Sequence, residues 1–587
     1  MSSRWKAGTL LFMLAMLAFL RPLDQPHYRI LVADGLGYYS YLPATFIYQD
    51  HTYEFQWFPE VYKRYYPANN DDPLNHFMVQ YGARKINLYY PGVALLQLPF
   101  FLTGHLLAKL TTQPMDGFSW PYQLLMALSA IFYAWLALLL LDKIIMAITQ
   151  SKQAALFAIL CLLLGTNLFV YAIFNGCYSH VYSFFAITAC YYAAQRFFMG
   201  KTVKAFLFMG AFALLVITIR PVNLLTLTGL LFFYQPFSIS KLLQQIHIKA
   251  TWQPLLILVA LLFWSFRITL LQTGSLVANT YTVGHFTWHR WDHVLMNLTG
   301  FQSGVLWYTP ILLLPLTAIG SIGKNWRLVW LYLTAIGMFL VYGFWWYYNI
   351  APRTIVDISS VFGILLAVTY KESTRKRLLV VVAIIGTALF QLKAYQLRKG
   401  ILNANYTHAA YYRQMFFELH PVNRFPVNPD YIVRLSEIRE NFEALSSADI
   451  TSQQAYGGNK SAHLNTGIEY AASFKYKVPA FMQFKGFPKI KVAFRIKRND
   501  RMNNVHVVYA LSHGDSVYHY GVGYVNTIVP ANQWVYNEFG TDAPKTIREG
   551  DYLNVYFWNP DHQSEAFIDD LTTSFILTNG KDEITGD

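Results

Sequence analysis

Apolar runs long enough to cross a bilayer recur from the N-terminus to about Gln391 and then stop, and this pattern constrains the fold more than any other feature of the chain. A hydrocarbon core of roughly 30 Å asks for about 20 consecutive apolar residues, wound so that every backbone N–H and C=O is satisfied internally. Composition agrees, since the 587 residues are 55% hydrophobic and only 13% charged, which fits a multi-pass integral membrane protein rather than a string of soluble domains. The net charge of +14 is spread over short inter-helix loops and forms no basic stripe, so no nucleic-acid partner is expected. Cys161, Cys177 and Cys190 lie in or beside apolar segments without metal-ligand spacing and read as small buried hydrophobes. The first apolar segment, Ala7 to Leu20, runs into Arg21-Pro22-Leu23 with no small-residue cleavage site, so it reads as a retained anchor.

Cytoplasmic loops collect Lys and Arg, and the loops sort on that basis. Lys143 and Lys152, then Arg196, Lys201 and Lys204, then Lys241 and Lys249, then Lys324 and Arg327, then Lys371, Arg375, Lys376 and Arg377 mark inside connections. Sparsely basic loops alternate with them and fall outside. With Arg4 and Lys6 inside, this parity leaves no room for a crossing at Pro91 to Leu110, whose apolar run is interrupted by Gln97, Pro99, Gly104 and His105. That segment is expected on the outer leaflet. The expected fold is thus a mostly α polytopic membrane protein with about eleven transmembrane helices, a cytoplasmic N-terminus and an extracytoplasmic C-terminus, as in a bacterial inner membrane with its periplasmic side outward. Residues 1–391 form the membrane domain, with a first outer loop at 21–121, and 392–462 form a linker region packing on the outer face.

From residue 463 to 587 the pattern changes to short alternating runs separated by turn residues: KIKVAFRIKR, NVHVVYALSH, SVYHYGVGYV, DYLNVYFWN and LTTSFIL. Period-two alternation of this kind predicts strands and a jelly-roll-like β-sandwich. The ending EAFIDDLTTSFIL resembles the last strand of jelly-roll carbohydrate-binding modules, and Trp534, Tyr536 and Trp558 are rings that such a domain could stack on sugar, although core packing is their commoner use.

Once the loops are sorted, ionisable residues converge on the outer side. Asp34, Asp71, Asp72, Arg84 and Lys85 belong to the first outer loop; His180, Arg220 and Arg353 sit at outer helix ends; His285, His289, Arg290, Asp292 and His293 share another outer loop, and Arg267 and Asp357 read as deepest. Such groups are costly at membrane depth and usually functional.

Three stretches then resemble a known family. DGLGYYSYLP after the first span, KINLYYPGVALLQLPFFLTGH at the end of the first outer loop, and the pair GVLWYTPILLLPLTAIG and WWYYNIAPRTIVDIS are similar to segments of the GT-C membrane glycosyltransferases, which use polyprenyl-phosphate-linked sugars. The resemblance covers about the first 390 residues. It implies a catalytic Asp soon after the first span, a position that Asp34 fills. A carboxylate there takes the proton of an acceptor hydroxyl as it attacks the anomeric carbon, in an inverting displacement. The departing lipid phosphate needs cations, for which Lys85 (with Arg84 as its substitute), Arg220 and Arg353 are the candidates, with His180, Tyr38 and Tyr39 as further substrate-binding residues. Each has a plainer use: Lys85 in snorkelling to headgroups, Arg220 in capping a helix end before Pro221, Arg353 in pairing with Asp357 one turn away. Gly35 stands where many members carry a second acidic residue, so no cofactor and no metal is assigned; Asp71 and Asp72 are possible acidic partners should a divalent ion bind.

The partners implied are a polyprenyl-phosphate-linked sugar donor, a glycan, lipid or protein acceptor, and membrane lipid. The competing class is a transporter or flippase of lipid-linked saccharides, which needs polar positions along the interior of several spans.

Overall fold

The computed structural model describes residues 3–21, 29–66, 73–81, 84–238, 240, 248–275, 280, 290–344, 353–399, 401–402, 407, 409–419, 427, 432–499, 505–525, 532–544, 547–548, 550–560 and 565–579. They fall into two compact units, Met1–Thr299 with Ser303–Gln391, and Gly300–Gln302 with Leu392–Asp587.

The first unit is helical. Among its described residues, and in the helix that ends it, Gly92–Leu110, Trp120–Thr149 and Lys376–Arg398 are each long and apolar enough to cross a membrane; Lys152–Gly165 and Asn167–Ile173 reach that length only together, across a bend of 63°. This falls short of the eleven crossings read from hydropathy, and the reason is local. Pro221 and Pro310 open 3₁₀ segments, Pro221–Phe232 and Pro310–Gly323, where hydropathy alone reads continuous spans, and Pro315 interrupts the second of them. Val203–Ile219 is a shorter apolar helix among the described residues.

Gly92–Leu110, expected on the outer leaflet, is thus itself long and apolar enough to cross. Its polar interruptions are used inside the helical unit. Gln97 is fully buried and donates to the Tyr182 hydroxyl at 3.2 Å, and the Leu96 carbonyl accepts from Tyr133 at 2.8 Å. Gly92 faces the backbone of Thr218 and Ile219 so closely that an added Cβ would lie 2.4 Å from Thr218, which explains a glycine at this helix start.

The second unit contains a six-stranded and a four-stranded antiparallel sheet. The larger runs Trp534–Asp542, Phe487–Arg498, Ala566–Thr578, Ser461–Leu464, Ile450–Thr451, with Ile432–Glu440 also pairing Ala566–Thr578; the smaller runs Tyr470–Lys477, Tyr552–Trp558, His506–His513, Ser516–Tyr524. Alternate residues from both sheets, among them Val492, Phe494, Ile496, Leu553, Val555, Phe557 and Val507, form one core. The strands read from sequence are present, but the sheets start well before residue 463. Ile432–Glu440 lies inside the expected linker because charged residues on both of its faces (Arg434 on one, Glu437 and Arg439 on the other) hide the alternation. Trp534, Tyr536 and Trp558 are half-buried, and the Trp558 indole donates to Glu469 at 3.1 Å.

Asp551 fastens the smaller sheet. Its fully buried carboxylate accepts from Tyr518 at 2.6 Å, from the Arg548 amide at 2.7 Å and from His513 Nδ1 at 2.7 Å. Burial pushes its pKa up, and these donors outweigh burial, leaving it below the ordinary carboxylate value. A depressed carboxylate pKa contributes stability that is present above the unfolded value of about 3.9 and is lost as pH falls through the folded value. Acidification through that window is therefore expected to lower the hydrogen-exchange protection of the Arg548 amide relative to its intrinsic rate, and Asp551→Ala to cost about 1–3 kcal/mol at neutral pH while flattening the acid dependence. Unchanged Arg548 exchange in the variant would count against this anchor.

Candidate active site

Helix Asp34–Phe46 starts abruptly. Ala33, its N-cap, holds φ 46°, a left-handed conformation that an L-residue adopts only under constraint. The helix can then lie close to its neighbours because two of its first residues lack side chains. A Cβ on Gly35 would sit 2.8 Å from Cys177 Cβ, and one on Gly37 would sit 2.1 Å from the Tyr89 ring. Gly35, which departs from the family pattern, is thus a packing requirement, since no acidic side chain fits against Cys177.

Asp34 occupies the first turn of this helix, and its Oδ2 pairs with Arg353 Nη2 at 2.9 Å. The two side chains keep 14% and 10% exposure, so the pair lies at an accessible edge. Tyr89 hydrogen-bonds the same carboxylate; burial first, then the Asp34 charge, raises its phenol pKa well above the ordinary value, so Tyr89 is a neutral donor. Tyr38 packs its ring at 4.6 Å from Tyr89. The Arg353 guanidinium lies 5.8 Å from the centre of the Tyr178 ring, within cation–π range.

Beside this edge lies a buried polar floor centred on Asp357, which is fully buried. His180 Nδ1 is 2.7 Å from Oδ1, Asn223 Nδ2 donates to Oδ2 at 3.0 Å, Tyr342 reaches Oδ2 at 3.4 Å, and Arg220 Nη1 stands 3.6 Å from Oδ2. The 2.7 Å contact places the proton on Nδ1, because two bare acceptors would not approach so closely. The 3.3 Å approach of Arg220 Nη1 to that nitrogen is then a contact between two donors, and Asp357 is what holds them together. Arg220 also lies over the Tyr342 ring at 5.3 Å, while Asn223 ties Tyr342 and Ser183 into the network, each at 3.0 Å.

Of the residues expected at the site, Asp34, Arg353, Tyr38, His180 and Arg220 are gathered in these two adjoining clusters. Arg353 does not pair with Asp357, as its spacing suggested; it turns to Asp34, and Arg220 takes the place beside Asp357. Tyr39 points elsewhere, donating to the Gly117 carbonyl and packing on Phe118. Arg84 and Lys85 are exposed on strand Arg84–Asn87, Arg84 reaching the Leu271 carbonyl at 3.3 Å. Among the described contacts, neither touches the Asp34 cluster. Arg267 is exposed on helix Ile248–Thr273, and Arg290 and Asp292 pair locally at 2.7 Å. Asp71, Asp72, His285 and His289 lie outside the described residues. Among the described residues no group of three or more His, Cys, Asp or Glu is arranged to hold a metal.

Sequence reading missed Asn223, Tyr342 and Tyr89. Asn223 had a signal, three residues after Arg220 and therefore one turn away. Tyr342 and Tyr89 had none, since only the fold brings these tyrosines out of a chain holding 42.

No protein-family model and no curated protein matches this chain. Among solved structures, it is similar to the arabinosyltransferase EmbB from Mycobacterium smegmatis over 84% of this chain and 64% of that one, at 11% identity and a TM-score of 0.28. It is also similar to a family 16 carbohydrate-binding module over 21% of this chain and 82% of that one, at 17% identity and a TM-score of 0.16. TmCBM61, solved with β-1,4-galactotriose, is similar over 24% of this chain and 89% of that one, at 13% identity and a TM-score of 0.15. TM-scores this low do not establish a shared fold.

Proposed function

We propose that this chain is a membrane glycosyltransferase that moves a sugar from a polyprenyl-phosphate donor to a lipid-linked glycan, surface polysaccharide or protein on the extracytoplasmic face. The observation that carries this reading is the accessible Asp34–Arg353 pair, a carboxylate and a guanidinium within 2.9 Å of each other at a polar edge. In the reaction, the Asp34 carboxylate takes the proton from the acceptor hydroxyl. The acceptor oxygen bonds to the anomeric carbon, and the bond from that carbon to the phosphate oxygen breaks, its electron pair leaving with the phosphate. Arg353 is the cation for that phosphate, with Arg220 behind it. The GT-C resemblance in the sequence supports the lipid-phosphate donor.

A second reading has its own observation. Arg220, His180, Asn223 and Asp357 form a buried polar cluster where several helix ends meet, which a transporter or flippase of lipid-linked saccharides could use to hold a phosphate without chemistry. Purified protein incubated with radiolabelled polyprenyl-phosphate sugars and membrane acceptors separates the two. Label transferred to acceptor supports the enzyme; label crossing a vesicle membrane while still on its lipid supports the transporter.

A further inference from the structure

The proposed base and the proposed phosphate cation are bonded to each other, and they cannot remain so during the reaction. A carboxylate acting as base must turn a lone pair to the acceptor hydroxyl, and a guanidinium neutralising a leaving phosphate must turn its fork to that phosphate. We infer that Arg353 trades the Asp34 carboxylate for the phosphate of the ligand, so that the resting ion pair keeps the base engaged until a phosphate arrives. This rests on the reading of Asp34 as base, and it makes Arg353 a positioning residue for Asp34 as well as a phosphate contact.

The geometry supports an exchange at this arginine and not at its neighbour. Arg353 and Asp34 are 10% and 14% exposed, whereas Arg220 and Asp357 are 4% and 0% exposed. A ligand therefore meets the first pair without unpacking the second. The turn that carries Arg353 is anchored by the same second pair. Arg353–Val356 is a 3₁₀ turn, the Asp357 amide donates to the Thr354 carbonyl at 3.1 Å, and the Asp357 side chain is fixed in the floor. Exchange then proceeds by rotation of the Arg353 side chain over the Tyr178 ring. A phosphate offers more charge and more acceptor oxygens than a carboxylate, in the geometry that a guanidinium fork matches. Tyr89 stays on Asp34 after the exchange, keeping the released carboxylate aimed.

Carbodiimide-driven amine coupling at Asp34, read by mass spectrometry on the purified full-length protein, tests this. Undecaprenyl monophosphate is the probe, because without a sugar it leaves the space of the reacting atoms open; undecaprenol and inorganic phosphate are the comparisons. Coupling is expected to be low in the resting protein and to rise several-fold with undecaprenyl monophosphate but not with undecaprenol. Arg353→Gln is expected to couple strongly without ligand and to ignore it, and Arg353→Lys to recover part of the ligand response. A rise with inorganic phosphate alone supports the exchange and assigns it to the free anion. Coupling in the parent that stays level or falls with bound undecaprenyl monophosphate overturns it. Sugar transfer measured in parallel separates the two claims: transfer that depends on Asp34 without a coupling response removes the exchange alone, and a coupling response without transfer removes the enzyme reading alone.

Discussion

Asp34→Asn is expected to lower sugar transfer by about 10²–10⁴-fold, the range typical of losing a positioned general base. Asparagine has nearly the same shape and still accepts hydrogen bonds from Arg353 and Tyr89, so the start of helix Asp34–Phe46 should stand. What it cannot do is take the acceptor's proton at neutral pH. The loss should therefore appear in kcat with little change in the donor's KM, the pattern of an interaction made only in the transition state. Because the substitution also removes the charge that occupies Arg353, donor binding should hold or tighten. Initial rates over a range of polyprenyl-phosphate sugar concentrations, for parent and variant at matched folding, check both statements. Equal rates would remove Asp34 from the chemistry.

Asp357→Ala is expected to be the most destabilising single change in the helical unit, at about 3–5 kcal/mol. Removing the carboxylate takes one partner each from His180 Nδ1, Asn223 and Tyr342, and removes the carboxylate that faces the buried Arg220 charge. Asp357→Asn should cost less, because the amide oxygen still accepts one of these bonds. The double replacement Arg220→Met with Asp357→Leu should recover part of the loss, since exchanging a whole buried pair for apolar side chains is commonly neutral or favourable. Thermal unfolding of all three in one detergent checks the order. A single Asp357→Ala variant that melts with the parent would show that the floor does not depend on this carboxylate.

The sequence was legible where physics is local. Repeated apolar runs marked a helical membrane unit, and short β-prone runs between turn residues found the strands Phe487–Arg498, His506–His513 and Tyr552–Trp558, of which Tyr552–Trp558 alternates strictly while His506–His513 is buried along nearly its whole length. It was less legible where proline shortened apolar runs into 3₁₀ segments, because hydropathy counts residues and not turns. Asp34 and Arg353 were found singly, by position near the outer surface, but their pairing was not, since spacing offered only Asp357, one turn away, as a partner for Arg353 other than a phosphate. Tyr38 and Tyr39 were read together, but adjacent helix residues point about 100° apart, and the fold sends Tyr38 to the Tyr89 ring and Tyr39 to Gly117 and Phe118.

The floor also has a history within the synthesis of each molecule. His180 and Asp357 are 177 residues apart in the chain, so at about 5–20 residues per second the histidine is made roughly 9–35 seconds before its carboxylate, and Arg220 somewhat less ahead of it. During that interval the Arg220 charge has no Asp357 to enter the bilayer with. The floor can therefore be completed only after the whole stretch from His180 to Asp357 has been made.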